Sequence, residues 1–148
     1  KKAWDKYTSF YLSTDGQKYW SDEAQLSYYP EGYHTKIDQI SNSKGSEIIT
    51  ELYVPRKQLG KFMRQAAQFL KKEKANVIFG TVRLIERDTE TFLAWAREPW
   101  ACIVFNLHVE HSEKGLKRAE KQFQGLIDIA LNLGGSFFLT YHRWAIKS

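Results

Sequence analysis

The sequence predicts an α+β fold of the ferredoxin-like type: an antiparallel sheet in βαββαβ order with two helices on one face, plus an N-terminal β-hairpin extension. Three observations lead there. Four apolar runs have strand length and alternation, two longer runs keep a 3.6-residue period, and they follow one another as strand, helix, strand, strand, helix, strand. The two halves repeat at a spacing of about fifty residues, as in a split βαβ unit, and right-handed crossovers put both helices on the same side of the sheet.

Each element follows from local chemistry. Over residues 8–20 the run Phe10-Tyr11-Leu12, the pair Asp15-Gly16 and the aromatics Tyr19-Trp20 predict the hairpin, because Asp-Gly supplies the positive φ of a tight turn. The stretch to Ile40, which contains His34, has no clear period and is broken by Pro30 and Gly32; Ser41-Asn42-Ser43-Lys44-Gly45-Ser46 reads as a linker. Residues 1–45 are therefore expected to be a hairpin and irregular extension of the same domain, and residues 46–148 the ferredoxin-like part. A first strand over 47–54 leads into a helix opened by Pro55, whose missing N–H has no intrahelical partner in a first turn. The apolar face of that helix is Leu59, Phe62, Met63, Ala66, Phe69 and Leu70. A second strand spans 77–86, a connection follows with one helical turn over 91–97 stopped by Pro99, and a third strand spans 101–110. Ser112 then caps a helix with apolar positions Leu116, Ala119, Phe123, Leu126, Ile127, Ala130 and Leu133, which Gly134-Gly135 ends. The fourth strand is expected over 136–144.

Composition narrows the function classes. With 148 residues and 43% hydrophobic content, the chain suffices for one domain with a real core. Its 22 Lys and Arg are interleaved with 17 Asp and Glu for a net charge of +5, so an anionic ligand is permitted but no polybasic block demands one. A single cysteine, Cys102, excludes a disulfide framework and a four-cysteine zinc site. No run approaches the roughly 18 apolar residues of a membrane span, and a signal-peptide core is absent, so a cytoplasmic protein without membrane partners is expected. The chain starts at Lys1 without a methionine and is read as a fragment of a longer protein.

Residues i and i+2 of a strand share a face, and three strands carry polar pairs at that spacing: Thr81 with Arg83, Asn106 with His108, and Thr140 with His142. The consistently apolar phase should face the helices. It comprises Ile48, Leu52 and Val54, with Thr50 as an exception; Ile78, Gly80, Val82 and Leu84; Ile103, Phe105, Leu107 and Val109; and Phe137, Leu139 and Tyr141. The opposite face, expected to be bare, then carries Glu51, Tyr53, Thr81, Arg83, Asn106, His108, Thr140 and His142, bordered by Phe79, Phe138 and Trp144. One bulge in the fourth strand would exchange Tyr141 and His142. Arg can hold a carboxylate or a developing oxyanion, His exchanges protons near neutral pH, and Asn and Tyr orient hydroxyls, so this face reads as a binding surface.

Other chemistries fit less well. His108, Glu110 and His111 lack the helical His-Glu-x-x-His order, and His111 points away from His108, so no metal is expected. Neither a nucleophile elbow nor a glycine-rich phosphate loop follows a strand. The alternative is a ferredoxin-like RNA-binding module using the bare face, although Asn106 and His108 stand where stacking rings belong, and nucleic acid is not the expected partner.

Four segments carry a family resemblance: Glu51-Leu52-Tyr53-Val54-Pro55-Arg56, Gly80-Thr81-Val82-Arg83, Ile103-Val104-Phe105-Asn106-Leu107-His108, and Gly134-Gly135-Ser136-Phe137-Phe138-Leu139-Thr140-Tyr141-His142. In order and spacing they resemble the C-terminal substrate (cap) domain of FAD-linked oxidases of the vanillyl-alcohol oxidase superfamily, near the sugar lactone and alditol oxidases. The resemblance implies an FAD-dependent oxidase or dehydrogenase that oxidises a CH–OH group of a sugar-, lactone- or hydroxy-acid-like substrate by hydride transfer to FAD. It also implies that a separate N-terminal FAD-binding domain of the same full-length protein holds the cofactor, that the bare sheet covers its isoalloxazine ring, and that this fragment alone is inactive. The family's second-strand Glu-x-Arg pair carries over in its Arg, at Arg83, whereas Thr81 occupies the place of the Glu. Asn106 and His108 correspond to the polar positions of the third strand, and a fourth-strand Lys is replaced by His142 or Tyr141. The implied catalytic residues are Arg83, on the substrate's oxygen or carboxylate, and His108 or His142 as proton acceptor. The implied substrate contacts are Glu51, Tyr53, Thr81, Asn106, Thr140 and Tyr141.

Overall fold

Helix α1 (Lys2–Ser13) stands where the first strand of a hairpin is expected. In this computed structural model, residues 2–18, 38–40, 44–142 and 144–145 are described, apart from the side chains of residues 2–4, 6, 7 and 11. The Asp15-Gly16 pair does supply a positive φ, 72° at Gly16, but it closes a helix: Thr14 N donates to Phe10 O at 3.1 Å and Gln17 N to Thr14 O at 3.0 Å. A left-handed residue just past a helix satisfies its last carbonyls as readily as it turns a hairpin. Tyr19-Trp20 and the irregular stretch with Pro30, Gly32 and His34 lie outside the described residues. The chain divides into two units, Lys1–Asn42 and Ser43–Ser148, and the division falls within the serine-rich residues 41–46.

The second unit is a four-stranded antiparallel sheet of β1 (Gly45–Pro55), β2 (Val77–Ile85), β3 (Trp100–Glu110) and β4 (Ser136–Phe138), in the order β2-β3-β1-β4. A 3-10 turn (Arg56–Gln58) and helix α2 (Leu59–Lys72) join β1 to β2, and helix α3 (Glu113–Asn132) joins β3 to β4. Since β3 runs antiparallel to both β1 and β2, those two are parallel with β3 between them; β3 and β4 are related in the same way across β1. This is the ferredoxin-like βαββαβ arrangement. Pro55 closes β1 and precedes the 3-10 turn rather than entering α2 directly.

The apolar phases meet between sheet and helices. Leu52, Val54, Phe62, Leu107, Phe123 and Leu126 are fully buried there, each stabilising the fold by roughly 1.5–3 kcal/mol relative to exposure. Thr50 joins them, buried in the core phase of β1. Ser112 accepts a hydrogen bond from Gly115 N at 3.0 Å and so caps α3. Four helix positions depart from the periodic reading: Leu116 and Met63 are exposed, while Gly115 and Gln122 are buried. Gly115 lies too close to the Glu110 carbonyl for a side chain, and Gln122 Nε2 donates to Glu73 O at 3.2 Å.

The sheet departs from expectation at its margins. A bulge near Ile78 puts Val77, not Ile78, opposite Leu107. Val82 and Leu84 share the helix-facing phase but stay exposed, because the helices pack chiefly over β1, β3 and β4. The connection 86–99 has turns at 92–93 instead of a helical turn. It is tied by Asp88, whose carboxylate accepts from Glu90 N and Thr91 N at 3.0 Å each and from the Thr91 hydroxyl. These bonds hold that carboxyl below its ordinary range. Most consequentially, β4 stops at Phe138 and Thr140-Tyr141 form a turn, so the alternation does not continue to residue 144.

Candidate functional site

The face opposite α2 and α3 is a grid of cross-strand rows. One row runs Arg83, Cys102, Tyr53, Ser136; the next runs Thr81, Val104, Glu51, Phe138; then come Phe79, Asn106 and Ile49, and finally His108 with Glu47. The centre of this face is not bare. Cys102, Val104 and Asn106 are 1%, 6% and 5% exposed, so the accessible chemistry lies on the flanks, at Arg83 and Thr81 on one side and at Phe138 and Tyr141 on the other.

Glu51 is the hub of the first two rows. Its Oε1 accepts the Tyr53 hydroxyl at 2.5 Å and the Cys102 thiol at 3.3 Å, and its Oε2 accepts the Tyr141 hydroxyl at 3.4 Å. Burial, then the bond to Glu51 and its charge, push the Tyr53 phenol well above its ordinary range. The same causes push Cys102 up to about 12, with Arg83 pulling the other way, so the thiol stays protonated and is no nucleophile. Among the described residues no hydrogen bond or ion pair engages the Arg83 guanidinium. Trp95, from the β2–β3 connection, packs edge-on against Tyr53 at 4.9 Å and lies 6.0 Å from Trp100, so its indole borders the Tyr53 position of that row.

The expected site residues do not all converge. Glu51, Tyr53, Thr81, Arg83 and Tyr141 share adjoining rows or contacts. Asn106 lies four residues along β3 from the Arg83 row and His108 six, about 13 and 20 Å at the usual strand rise. A common face is therefore not a common site for a small substrate. Asn106 Nδ2 donates to Glu47 Oε2 at 2.9 Å, and His108 lies across Gly45, where any side chain would collide with its imidazole. Thr140 is exposed in the turn after β4. His111 bonds Ser46 Oγ at 2.7 Å, and among the described residues no group of three or more His, Cys, Asp or Glu converges on a metal position.

His142, Tyr141 and Trp144 exchange faces relative to the sequence reading. Once the chain leaves the sheet after Phe138, Tyr141 turns towards Glu51 and Phe138, with ring centroids 5.9 Å apart for the latter pair. His142 and Trp144 instead pack on Phe123 of α3 at 4.4 and 5.0 Å, which withdraws the imidazole from the Glu51 face. Aromatic packing on the core drives the exchange, since the phenol keeps its polar tip outside while the two other rings are partly buried against Phe123. Burial lowers the His142 pKa, and its Nε2 has no partner among the described residues. The folded state therefore holds the imidazole neutral to lower pH than the unfolded chain, which takes up a proton below about pH 6.5. Stability should be insensitive to this group above that pH and fall as the pH drops below it. Urea midpoints at pH 7.5 and 5.5 should differ less in His142→Phe than in the wild type; equal differences would exclude the effect.

Trp95 and the Cys102–Glu51 contact were not legible in the sequence as parts of a site, and the one available signal was an aromatic residue in a charged connection. Among the described residues no helix is long and apolar enough to cross a membrane. No family model matches the chain, and neither a curated protein nor a solved structure matches it.

Proposed function

We propose that this chain is the substrate domain of an FAD-dependent oxidoreductase that removes hydride from a CH–OH group of a sugar-, lactone- or hydroxy-acid-like substrate. The observation that carries the reading is the Arg83 row: an exposed, unengaged guanidinium on the same face as a carboxylate with two phenols, beside an indole wall. Arg83 binds the substrate's carboxylate or the oxygen on which charge develops. Tyr53 and Tyr141 orient its hydroxyls, and Trp95 and Phe138 flank its carbon skeleton. The donor set fits a flavin held by another domain of the same protein: it offers contacts for an alcohol, and among the described residues no strand is followed by the glycine-rich turn that cradles a dinucleotide pyrophosphate. When bound, the flavin supplies the hydride acceptor.

Arg83→Ala in the full-length protein should lower kcat/KM at least about tenfold, roughly 1.4 kcal/mol of transition-state binding, with flavin content unchanged. Turnover near wild type would remove Arg83 from the site. The RNA-binding reading draws little support from a face whose central side chains are buried. It predicts salt-sensitive RNA affinity for this chain, and an absence of binding at low salt would dismiss it.

A further inference from the structure

We infer that Glu51 is the proton acceptor of this site and that the Tyr53 hydroxyl relays the substrate's proton to it. The inference rests on the reading above, in which an alcohol is oxidised on this face, and it names a group that neither histidine can replace. His142 packs on Phe123 beneath the sheet, and His108 is about 20 Å along β3 from the Arg83 row. Glu51 receives the Tyr53 and Tyr141 hydroxyls and the Cys102 thiol, all neutral donors, and no Lys or Arg bonds to it among the described residues. With no cation paired to it, the carboxylate can take a proton without breaking an ion pair.

The geometry also sets the direction of transfer. Tyr53 donates its hydroxyl hydrogen to Glu51 Oε1 at 2.5 Å, which leaves its oxygen lone pairs as acceptors. A substrate hydroxyl anchored by Arg83 in the same row donates to that oxygen. With a bound flavin supplying the hydride acceptor, the substrate's O–H proton would pass to the Tyr53 oxygen and the Tyr53 proton to Glu51 as the C=O bond forms. The tyrosine ends as it began, and Glu51 ends as a carboxylic acid that later returns its proton to solvent. Free ionisation of Tyr53 is opposed by burial and by the adjacent carboxylate, so it acts as a relay and not as the base.

In the flavin-loaded full-length protein, Glu51→Gln and Tyr53→Phe should each lower kcat at least thirtyfold while KM changes less than threefold. Glu51→Gln should also abolish the acid limb of the kcat profile, and Glu51→Asp should restore part of the rate and that limb, which a purely structural carboxylate would not do. A Glu51→Gln variant that keeps a third of kcat, or keeps the acid limb, overturns the assignment. An arm independent of flavin is a 13C NMR titration of the tyrosine ring carbons in this 148-residue chain. The Tyr53 signal should follow one ionisation that vanishes in Glu51→Gln. If no alcohol is oxidised but this coupling is seen, the flavin reading fails and the proton-sharing pair stands; a Tyr53 signal indifferent to Glu51 overturns the relay itself.

Discussion

Phe123→Ala is expected to destabilise the protein by about 3–5 kcal/mol, the largest loss from any single truncation considered, because it empties the centre of α3 against the sheet. The ring is fully buried in the cluster that includes Leu52, Phe62, Leu107 and Leu126. The same ring also seats His142 at 4.4 Å and Trp144 at 5.0 Å, so its removal deprives the segment after β4 of its anchor. Two consequences should appear together. The urea midpoint should fall by most of the protein's stability, and His142 should recover an ordinary titration as it becomes hydrated. Because His142 adjoins Tyr141, the hydroxyl that reaches Glu51 should lose its fixed position as well. A midpoint lowered by less than about 1 kcal/mol of unfolding free energy would mean that the core refills the space by rearrangement.

Where period and local chemistry agreed, the elements could be read directly. In β3, Ile103, Phe105, Leu107 and Val109 alternate against Cys102, Val104 and Asn106, and the register confirms both phases. Ser112 and Gly134-Gly135 bracket α3 as cap and stop. The misreadings share a physical origin, since each depended on tertiary contacts that spacing does not encode. Phe10-Tyr11-Leu12 is too short to separate strand from helix, and Asp15-Gly16 suits both endings. The alternation after Phe138 looked like strand, but packing on Phe123 drew His142 and Trp144 to the core and turned Tyr141 outwards. The two histidines depart from the expected cluster in different ways: His142 leaves the face, whereas His108 keeps it at a distance from Arg83. Period two tells which side chains share a face but not how far apart they lie, and β3 is long enough to put His108 about 20 Å from the Arg83 row. Glu51 was visible as a face residue, yet its role as a hub needed Tyr141 and Cys102 brought in from elsewhere in the chain.

Adjacent glycines at the end of α3 should respond differently to the same substitution. Gly134 has a φ of 73° and open space around its α-carbon, so Gly134→Ala meets backbone strain alone and should cost about 1 kcal/mol without touching the site. Gly135 donates its N–H to Ala130 O at 2.8 Å, and a methyl group there would collide with the carbonyl oxygens of Tyr53 and Ala130. Those neighbours are backbone, which cannot yield by changing rotamer, so Gly135→Ala should fall towards the upper end of the roughly 1–3 kcal/mol expected of overpacking. The strain also falls where β4 pairs with β1, at Tyr53 opposite Ser136 and Glu51 opposite Phe138. Shifting that register moves Tyr53 and the segment carrying Tyr141 relative to Glu51. Amide exchange should therefore quicken at residues 51–53 and 136–138 in Gly135→Ala but not in Gly134→Ala, alongside the larger drop in urea midpoint. Equal losses in the two variants, with exchange at β4 unchanged, would show that β4 is not held by the close approach of Gly135 to β1.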